Sequence, residues 1–274
     1  MRDAIASLLA SMGSGPVFVH IDAFRAARVI KPVRDRTAFL DAHIELLMGA
    51  TDGRTLICPT FNYDFGKTRV LDLTQSESQL GPVTERFRTN AAEWRTPIPI
   101  FTVSGIGAEP RQKWGDETDP FGKDSIFAEL IENDGVVLYY GDTFDSNTLV
   151  HQAERIHGGP VYRYDKLFRG AVVRENGTRE EGSLLYHVRP FGTGLDYDWP
   201  RLQDEALDAG VLKRLDGSPE VLAASARQLH DLWVNDMKHD PFALLDDKTR
   251  KWVEPAIDEL GRRFVLTDFE GPTA

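Results

Sequence analysis

The sequence contains one cysteine, Cys58, and its seven histidines form no Cys/His cluster with the spacing of a zinc site. A single cysteine cannot form a disulfide within the chain, and structural metal sites need several ligands at short intervals. We therefore expect neither a disulfide framework nor a bound metal. A metal hydrolase built on His151 and His157 would also lack carboxylate ligands at a metal-binding spacing.

The sequence also lacks a long apolar run and an excess of positive charge. No run approaches the roughly 20 apolar residues of a membrane-spanning helix, and the N-terminal MRDAIASLLASMGSG does not resemble a signal peptide. The formal net charge of −11 at pH 7 opposes binding to a phosphate backbone. We expect a cytoplasmic protein with neither a membrane nor a nucleic acid as its partner.

What the chain does contain is 274 residues, 41% of them hydrophobic, which is enough for a large core. Strand-like apolar segments alternate with segments of helical periodicity through residue 156: VFVHID, TAFLDAHIELLM, TLICPTF, TVSGIG, SIFAELIEN and DGVVLYYG. From Phe168, RGAVVRENGTREEGSLLYHVRP is typical of a hairpin around Asn176-Gly177. The remainder, including VLAASARQLHDLWV, has mostly the pattern of amphipathic helices. We predict a single α/β domain, residues 1–274, with a central mixed sheet flanked by helices, a β-hairpin after residue 168 and a helical C-terminus.

The stretch GDTFDSNTLVHQAERI, residues 141–156, directly follows the last of these strands. A helix beginning near Thr148 would place Thr148, His151 and Glu154 on one side, because they are three residues apart. A carboxylate one turn from a histidine can orient the ring and raise its basicity, which is an ordinary way to build a general base. On spacing alone, an exposed pair on a solvated helix face is the more common explanation. The histidines without a partner at a meaningful spacing, to which we assign no role, are His43, His157, His187, His230 and His239.

Six segments, in this order, resemble the aminoglycoside 3-N-acetyltransferase family: VHIDAF, LICPTFNYDF, EWRTPIPIFTVSGIG, DPFGKDSIFAEL, DGVVLYYGDTFDSNTLVHQAE and GPVYRYDKLFRG. The likeness covers roughly residues 16 to 170. The resemblance implies an enzyme that moves an acyl group from acyl-CoA to the amine of a sugar by direct transfer in a ternary complex, without a metal.

The resemblance also implies roles for individual residues. His151 matches the histidine that accepts the amine proton, and Glu154 matches its associated carboxylate. Thr148 matches a threonine beside the site, where it could donate to the oxyanion or only cap the helix. The residues implied to bind the cofactor are Asp22, Ala23, Phe24, Arg25, Arg95, Thr96, Thr102, Val103 and Ser104. The residues implied to face the acceptor are Asn62, Tyr63 and Asp64.

The chain departs from the family pattern in one segment. Where relatives usually read RTxHPxxS, this sequence reads RTPIPIFT, so that Ile98 replaces a histidine and Thr102 a serine. Pro97 and Pro99 favour extended or turn geometry there, and either X-Pro bond could be cis. Cys58 could suggest an acyl-enzyme intermediate, but a lone cysteine at a strand end is usually a core residue.

The sequence leads to a specific functional prediction. We expect an N-acyltransferase that moves an acetyl or 3-hydroxybutyryl group to a nucleotide-linked amino-deoxy sugar in surface-glycan (lipopolysaccharide) biosynthesis, because PVYRYDKLF favours that branch of the family. The alternatives are an aminoglycoside 3-N-acetyltransferase of the antibiotic-resistance type and a CoA-binding protein that has lost catalysis. The hairpin after residue 168 could serve as a homodimer element.

Overall fold

The computed structural model describes residues 1–141 and 143–271, whose strands form two sheets. In chain order the strands are β1 (Val17–Ile21), β2 (Leu56–Pro59), β3 (Val70–Asp72), β4 (Trp94–Arg95), β5 (Val103–Ile106), β6 (Val136–Tyr140), β7 (Tyr164–Val173), β8 (Arg179–Val188), β9 (Leu212–Leu215) and β10 (Ser218–Ser225). The larger sheet has the order β4-β5-β2-β1-β6-β10-β9, and the smaller one has the order β3-β7-β8.

The helices surround the larger sheet and fill the C-terminal part. In chain order they are α1 (Arg2–Ala10), α2 (Arg36–Thr51), α3 (Phe65–Thr68), α4 (Pro82–Asn90), α5 (Ile126–Glu132), α6 (Val150–Ile156), α7 (Trp199–Asp208), α8 (Ala226–His239) and α9 (Asp247–Leu260). Short 3₁₀ turns cover Arg25–Arg28, Phe144–Ser146 and Leu266–Asp268. In the described part of the chain, no helix is both long and apolar enough to cross a membrane.

The larger sheet is mixed, as predicted. Strand β1 lies between β2 and β6 and is parallel to both, whereas the pairs toward the two edges are antiparallel. Alternate residues of β1 enter different cores: Val17 and Val19 pack with α1 and α2, whereas Phe18 packs with α5 on the other face. Burial on both faces explains why the central strands read as continuous apolar runs.

The hairpin is confirmed, but it begins earlier than predicted. Strand β7 starts at Tyr164, and its alternating burial pattern runs back past Phe168. Strands β7 and β8 pair antiparallel over their full length, from Tyr164 opposite Val188 to Val173 opposite Arg179. Gly177, with φ 82°, supplies the left-handed residue of the turn.

The predicted helical C-terminus contains a second hairpin, which is a correction. Strands β9 and β10 precede α8, so the VLAAS part of the predicted helix is a buried strand. The turn signal Asp216-Gly217 between the two strands marks this hairpin, and Gly217 has φ 76°. Ser225 then caps α8 by accepting a hydrogen bond from Gln228 N.

Candidate active site

The carboxyl ends of the parallel strands β1, β2 and β6 meet at one edge of the larger sheet, where a cavity of about 640 Å³ lies. Its walls come from the segments after these strands, from α6, from the end of β8 and from the loop before α7. The lining residues used below are His20, Tyr63, Ile100, Asp145, Thr148, His151, Arg163, Phe168, Tyr186, Arg189, Asp196, Tyr197 and Trp199.

His151 and Glu154 form the predicted pair on α6. His151 Nδ1 lies 3.0 Å from Glu154 Oε2, and the His151 side chain is 16% exposed toward the cavity, whereas Glu154 is fully buried. Because the carboxylate occupies Nδ1, the nitrogen left for a ligand is Nε2. A buried pair that points into a cavity is not the solvated surface pair that spacing alone would favour.

Glu154 is the centre of a larger buried network. Tyr162 and Tyr197 donate their hydroxyls to Oε1 at 2.9 and 2.7 Å. His187 Nε2 and Arg163 Nε lie 3.3 and 3.4 Å from Oε2, and Arg163 also donates to the Tyr197 hydroxyl at 2.6 Å. The carboxylate is therefore held from several directions and has little freedom to rotate away from His151.

The network keeps Glu154 ionised and His151 neutral. Burial alone would raise the pKa of Glu154, but Arg163 and the histidine hydrogen bonds hold it well below its usual range. Burial lowers the pKa of His151 to about 4, with Arg163 adding to the effect and Glu154 opposing it. An ionised carboxylate can only accept, so His151 must donate through Nδ1–H, and its Nε2 carries the lone pair that a base needs.

Thr148 lies before α6 rather than inside it. The helix begins at Val150, two residues later than predicted, and its N-cap residue Leu149 makes no side-chain cap. The Thr148 hydroxyl donates to the Ser146 carbonyl at 3.5 Å, and Thr148 lines the cavity beside His151. The capping role is thus not what this hydroxyl does.

A second cavity, of about 360 Å³, adjoins the first one. Both are lined by Ile21, Leu80, Thr84, Thr143, Asp145 and Ser146. The predicted cofactor segment, Asp22, Ala23, Phe24 and Arg25, lies on the smaller cavity. The two cavities therefore share one wall.

Two backbone N–H groups of this segment are already hydrogen-bonded within the turn. The Asp22 carboxylate already accepts hydrogen bonds from Phe24 N and Arg25 N, at 3.0 and 3.1 Å. Asp22 also pairs with the Arg25 guanidinium at 3.5 Å. Asp22 thus closes the turn, and the Phe24 ring, 78% exposed, lies at the smaller cavity.

The structure reassigns the other predicted cofactor residues. Arg95, Thr96, Thr102, Val103 and Ser104 are buried and do not line either cavity. Arg95 donates to the carbonyls of Leu73, Ser76 and Thr60 and to the Thr102 hydroxyl. These contacts tie the loop after β3 to the edge of the larger sheet, so the cluster is structural.

Only one of the three predicted acceptor residues faces the larger cavity. Tyr63 lines it and is 52% exposed. The Asn62 side chain turns away to donate to the Glu77 carbonyl at 2.9 Å and accepts from Asp64 N. Asn62 and Asp64 line a different cavity, of about 480 Å³.

The segment that departs from the family pattern forms part of the cavity wall. Ile98 is a core residue, and the peptide bonds before Pro97 and Pro99 are trans. Ile100 has φ 66°, and Phe101 N donates to the Pro99 carbonyl at 2.8 Å, which makes a γ-turn centred on a β-branched residue. Such a turn is rare and strained. It places Ile100 and Phe101 against the larger cavity.

Sequence reasoning missed His187, Arg163 and His20. His187 was assigned no role because its partner, Glu154, is 33 residues away and on a different element. Arg163 lay inside the quoted segment GPVYRYDKLFRG without a role. His20 lies at the end of β1, lines the larger cavity and stacks on Tyr139 with ring centroids 5.8 Å apart. Its position within VHIDAF was the available signal.

The cluster His151, Glu154 and His187 has donor atoms close enough together to suggest a metal site. The same Glu154 oxygen, however, already accepts hydrogen bonds from both histidine rings, and the Arg163 guanidinium lies 3.4 Å from it. A guanidinium there repels a second cation and supplies the positive charge that a metal would bring. These residues therefore fit a hydrogen-bond network better than a metal centre.

Cys58 takes no part in either cavity. It lies in β2, is fully buried in the core, and burial raises the pKa of its thiol. A protonated, inaccessible thiol is a poor nucleophile.

Comparison with known proteins gives a consistent picture. The sequence profile of the aminoglycoside 3-N-acetyltransferase family matches residues 54–238. Among curated protein sequences, none matches this chain significantly.

Several solved structures share the fold. The aminoglycoside acetyltransferase AAC(3)-Xa is 19% identical, with a TM-score of 0.67, over 87% of this chain and 92% of its own. AAC-IIIb, solved as a binary complex with CoASH, is 20% identical, with a TM-score of 0.66, over 87% and 96%. The YokD protein from Bacillus subtilis is 15% identical, with a TM-score of 0.61, over 85% and 92%. At these identities the likeness establishes the fold.

Proposed function

The chain belongs to the aminoglycoside 3-N-acetyltransferase family, and we propose that it acetylates an amine of an aminoglycoside-type amino sugar with His151 as general base. Membership makes it an acyl-CoA-dependent N-acyltransferase, with acetyl-CoA as the co-substrate. The observation that carries the proposed mechanism is the position of His151 on the larger cavity, with Nδ1 fixed on Glu154 and Nε2 left for the acceptor.

In the proposed reaction the acceptor amine attacks the thioester carbonyl of acetyl-CoA, and His151 Nε2 takes the proton that the nitrogen loses. The tetrahedral intermediate then expels CoA as a thiolate, which is protonated by the His151 imidazolium or by solvent, so that an amide, free CoA and a neutral His151 result. The Glu154 carboxylate stabilises the imidazolium that forms. A positioned base of this kind contributes typically ~10²–10⁴-fold to the rate. The Thr148 hydroxyl, on the same wall, is the candidate donor to the oxyanion.

The smaller cavity is the proposed entry for acetyl-CoA. The segment from Asp22 to Arg25 lies on its wall, and the exposed Phe24 ring offers a surface on which an adenine could stack. Arg25 can contribute positive charge toward phosphate, while Asp22 keeps the turn closed. The acetyl end would reach His151 past the shared wall of Thr143 and Ser146.

The nucleotide-linked acceptor predicted from the sequence is not supported by the comparisons, which favour the aminoglycoside alternative. The larger cavity can hold sugar rings against the aromatic side chains of Tyr63, Phe168 and Tyr186. Asp145 and Asp196 offer carboxylates to the ammonium groups that an aminoglycoside carries.

One observation keeps the nucleotide-linked sugar as a second candidate. The cavity also includes Arg189, an exposed guanidinium at the end of β8 that would attract phosphate and repel a polycation. The two acceptor classes therefore make opposite demands on this residue.

Free-thiol release from acetyl-CoA and 3-hydroxybutyryl-CoA, measured with aminoglycosides and nucleotide-linked 3-amino and 4-amino sugars, tests the proposal. We expect release with acetyl-CoA and an aminoglycoside, lost in His151→Ala and unchanged in the surface control His239→Ala. Release that survives in His151→Ala would remove the base mechanism. CoA binding without release for any acceptor would instead support the lapsed-enzyme alternative.

A further inference from the structure

The two histidines of the site share one oxygen atom. Glu154 Oε2 lies 3.0 Å from His151 Nδ1 and 3.3 Å from His187 Nε2. His151 comes from α6, whereas His187 comes from β8, opposite Asp165 of β7. Phe121 packs edge-on against both rings, with centroids 5.1 and 5.6 Å away. The two imidazoles are thus held in a common frame around a single acceptor.

His187 has no route to the substrate. Its side chain is fully buried, and it is not among the residues that line either cavity. The charged and titratable groups that face it are Glu154, Arg163, His151 and Arg155, with the Tyr186 ring alongside. Burial lowers the pKa of His187, so the ring is neutral and meets Glu154 as a hydrogen-bond donor rather than as a cation.

We propose that His187 is a positioning residue that sets the basicity of His151 by donating its Nε2–H to the Glu154 oxygen that anchors His151. The proposal rests on the proposed function of His151. An oxygen that accepts two imidazole N–H groups and also faces Arg163 stabilises each donor less than it would stabilise a single donor. His187 thereby fixes the carboxylate and also weakens its hold on the proton that His151 acquires, which favours release of that proton after each turnover.

The arrangement requires opposite tautomers in the two rings. Glu154 is ionised and can only accept, so His151 must carry its proton on Nδ1 and His187 on Nε2. Nitrogen chemical shifts of the imidazoles in the unmodified protein distinguish these forms. Because this NMR measurement needs neither a variant nor turnover, it tests the proposed hydrogen bonds of His151 and His187 independently of whether the chain acetylates any acceptor.

The matched variants are His187→Gln, whose amide can reach and donate as Nε2 does, and His187→Leu, which cannot donate. We expect the NMR titration of the His151 ring to move upward by about one pH unit in His187→Leu. In the Gln variant the His151 titration should stay close to that of the unmodified protein. A residue that only fills space would lower stability or kcat in both variants without moving the His151 titration.

Three results would overturn the proposal. One is an Nδ1-protonated His187 in the unmodified protein. Another is a folded His187→Leu whose His151 titration is unchanged. The third is a His187→Gln shift as large as that of His187→Leu. If His187→Leu does not fold, the tautomer measurement and the His151 titration in His187→Gln test the proposal instead. Failure of the proposed function alone would appear as thiol release that persists in His151→Ala, with the tautomers still as expected.

Discussion

Arg163 and Glu154 form an ion pair inside the protein, with Nε and Oε2 3.4 Å apart and the two side chains 3% and 0% exposed. A buried pair of this kind gains little net stability over an apolar pair, yet removing one partner leaves the other charge uncompensated. The network of the candidate active site and the stability of the fold therefore depend on the same contact.

Replacing Arg163 by methionine should lower the free energy of unfolding by about 3–5 kcal/mol, because Glu154 would remain buried without its cation. Chemical denaturation measures this loss. The control is Arg262→Met, which breaks an ion pair whose arginine is 45% exposed and should cost less than about 1 kcal/mol. The double variant with Glu154→Leu should recover part of the loss, and no recovery would contradict the uncompensated-charge explanation.

The pH dependence of kcat/KM should follow the acceptor amine rather than the enzyme. Burial lowers the pKa of His151 to about 4, so its imidazole is already neutral throughout the neutral range. The amine must still lose its proton, and activity should therefore rise with pH up to the amine's own pKa. Profiles with two acceptors whose amines differ in pKa should have different midpoints. A shared midpoint near 6.5 would mean that His151 titrates as an ordinary histidine.

The fold should lose stability as the pH falls below about 6.5. Burial lowers the pKa of His20 to about 3 and that of His43 to about 4 from the usual 6.5. Between each folded-state pKa and 6.5, the unfolded chain therefore binds more protons than the folded chain does. Stability that is present above pH 6.5 is lost as the pH falls toward and through the folded-state pKa. Each group contributes up to about 1.4 kcal/mol per pH unit. Thermal unfolding should show a shallower acid decline in His20→Phe and no change in His239→Ala.

Because the Arg95 cluster is structural, a substitution there should lower stability without changing cofactor binding. Arg95→Lys keeps the charge but loses most of the four hydrogen bonds that the guanidinium makes. We expect a loss of about 2–3 kcal/mol in the free energy of unfolding, with the KM for acetyl-CoA unchanged. A raised KM in a variant of normal stability would return Arg95 to the cofactor site.

The charge at Arg189 should separate the two acceptor classes. Arg189→Gln removes a cation from the rim of the larger cavity, so kcat/KM should rise for an aminoglycoside and fall about tenfold for a nucleotide-linked sugar. Comparing the two at low and high salt checks that the effect is electrostatic. A loss with the aminoglycoside would show that Arg189 contacts it through hydrogen bonds.

The elements that the sequence predicted well are those whose pattern is local. The apolar strands, the Asn176-Gly177 turn and the three-residue step from His151 to Glu154 each depend on neighbours along the chain. The hairpin of β9 and β10 was missed because its apolar strand VLAAS runs without a break into α8. The pattern there does not separate a buried strand from a buried helix.

The rest of the site depends on contacts that no spacing encodes. The other partners of Glu154, which are Tyr162, Arg163, His187 and Tyr197, reach it only when the hairpin and the loop before α7 pack on α6. The reassignment of Arg95 has a similar origin, because three of its four acceptors are backbone carbonyls. A sequence comparison can match the arginine but cannot show which way its guanidinium points.

The two ends of the long hairpin face different requirements. Its base supplies Arg163, Tyr186 and His187 to the site. Its turn at Asn176-Gly177 lies at the far end of two strands of 10 residues each, with open space around Gly177. Insertions at such a tip are usually tolerated. A peptide tag or a site for a fluorescent label could therefore be inserted between Asn176 and Gly177 without disturbing the site. The same insertion at the base would displace the residues of the site and abolish activity.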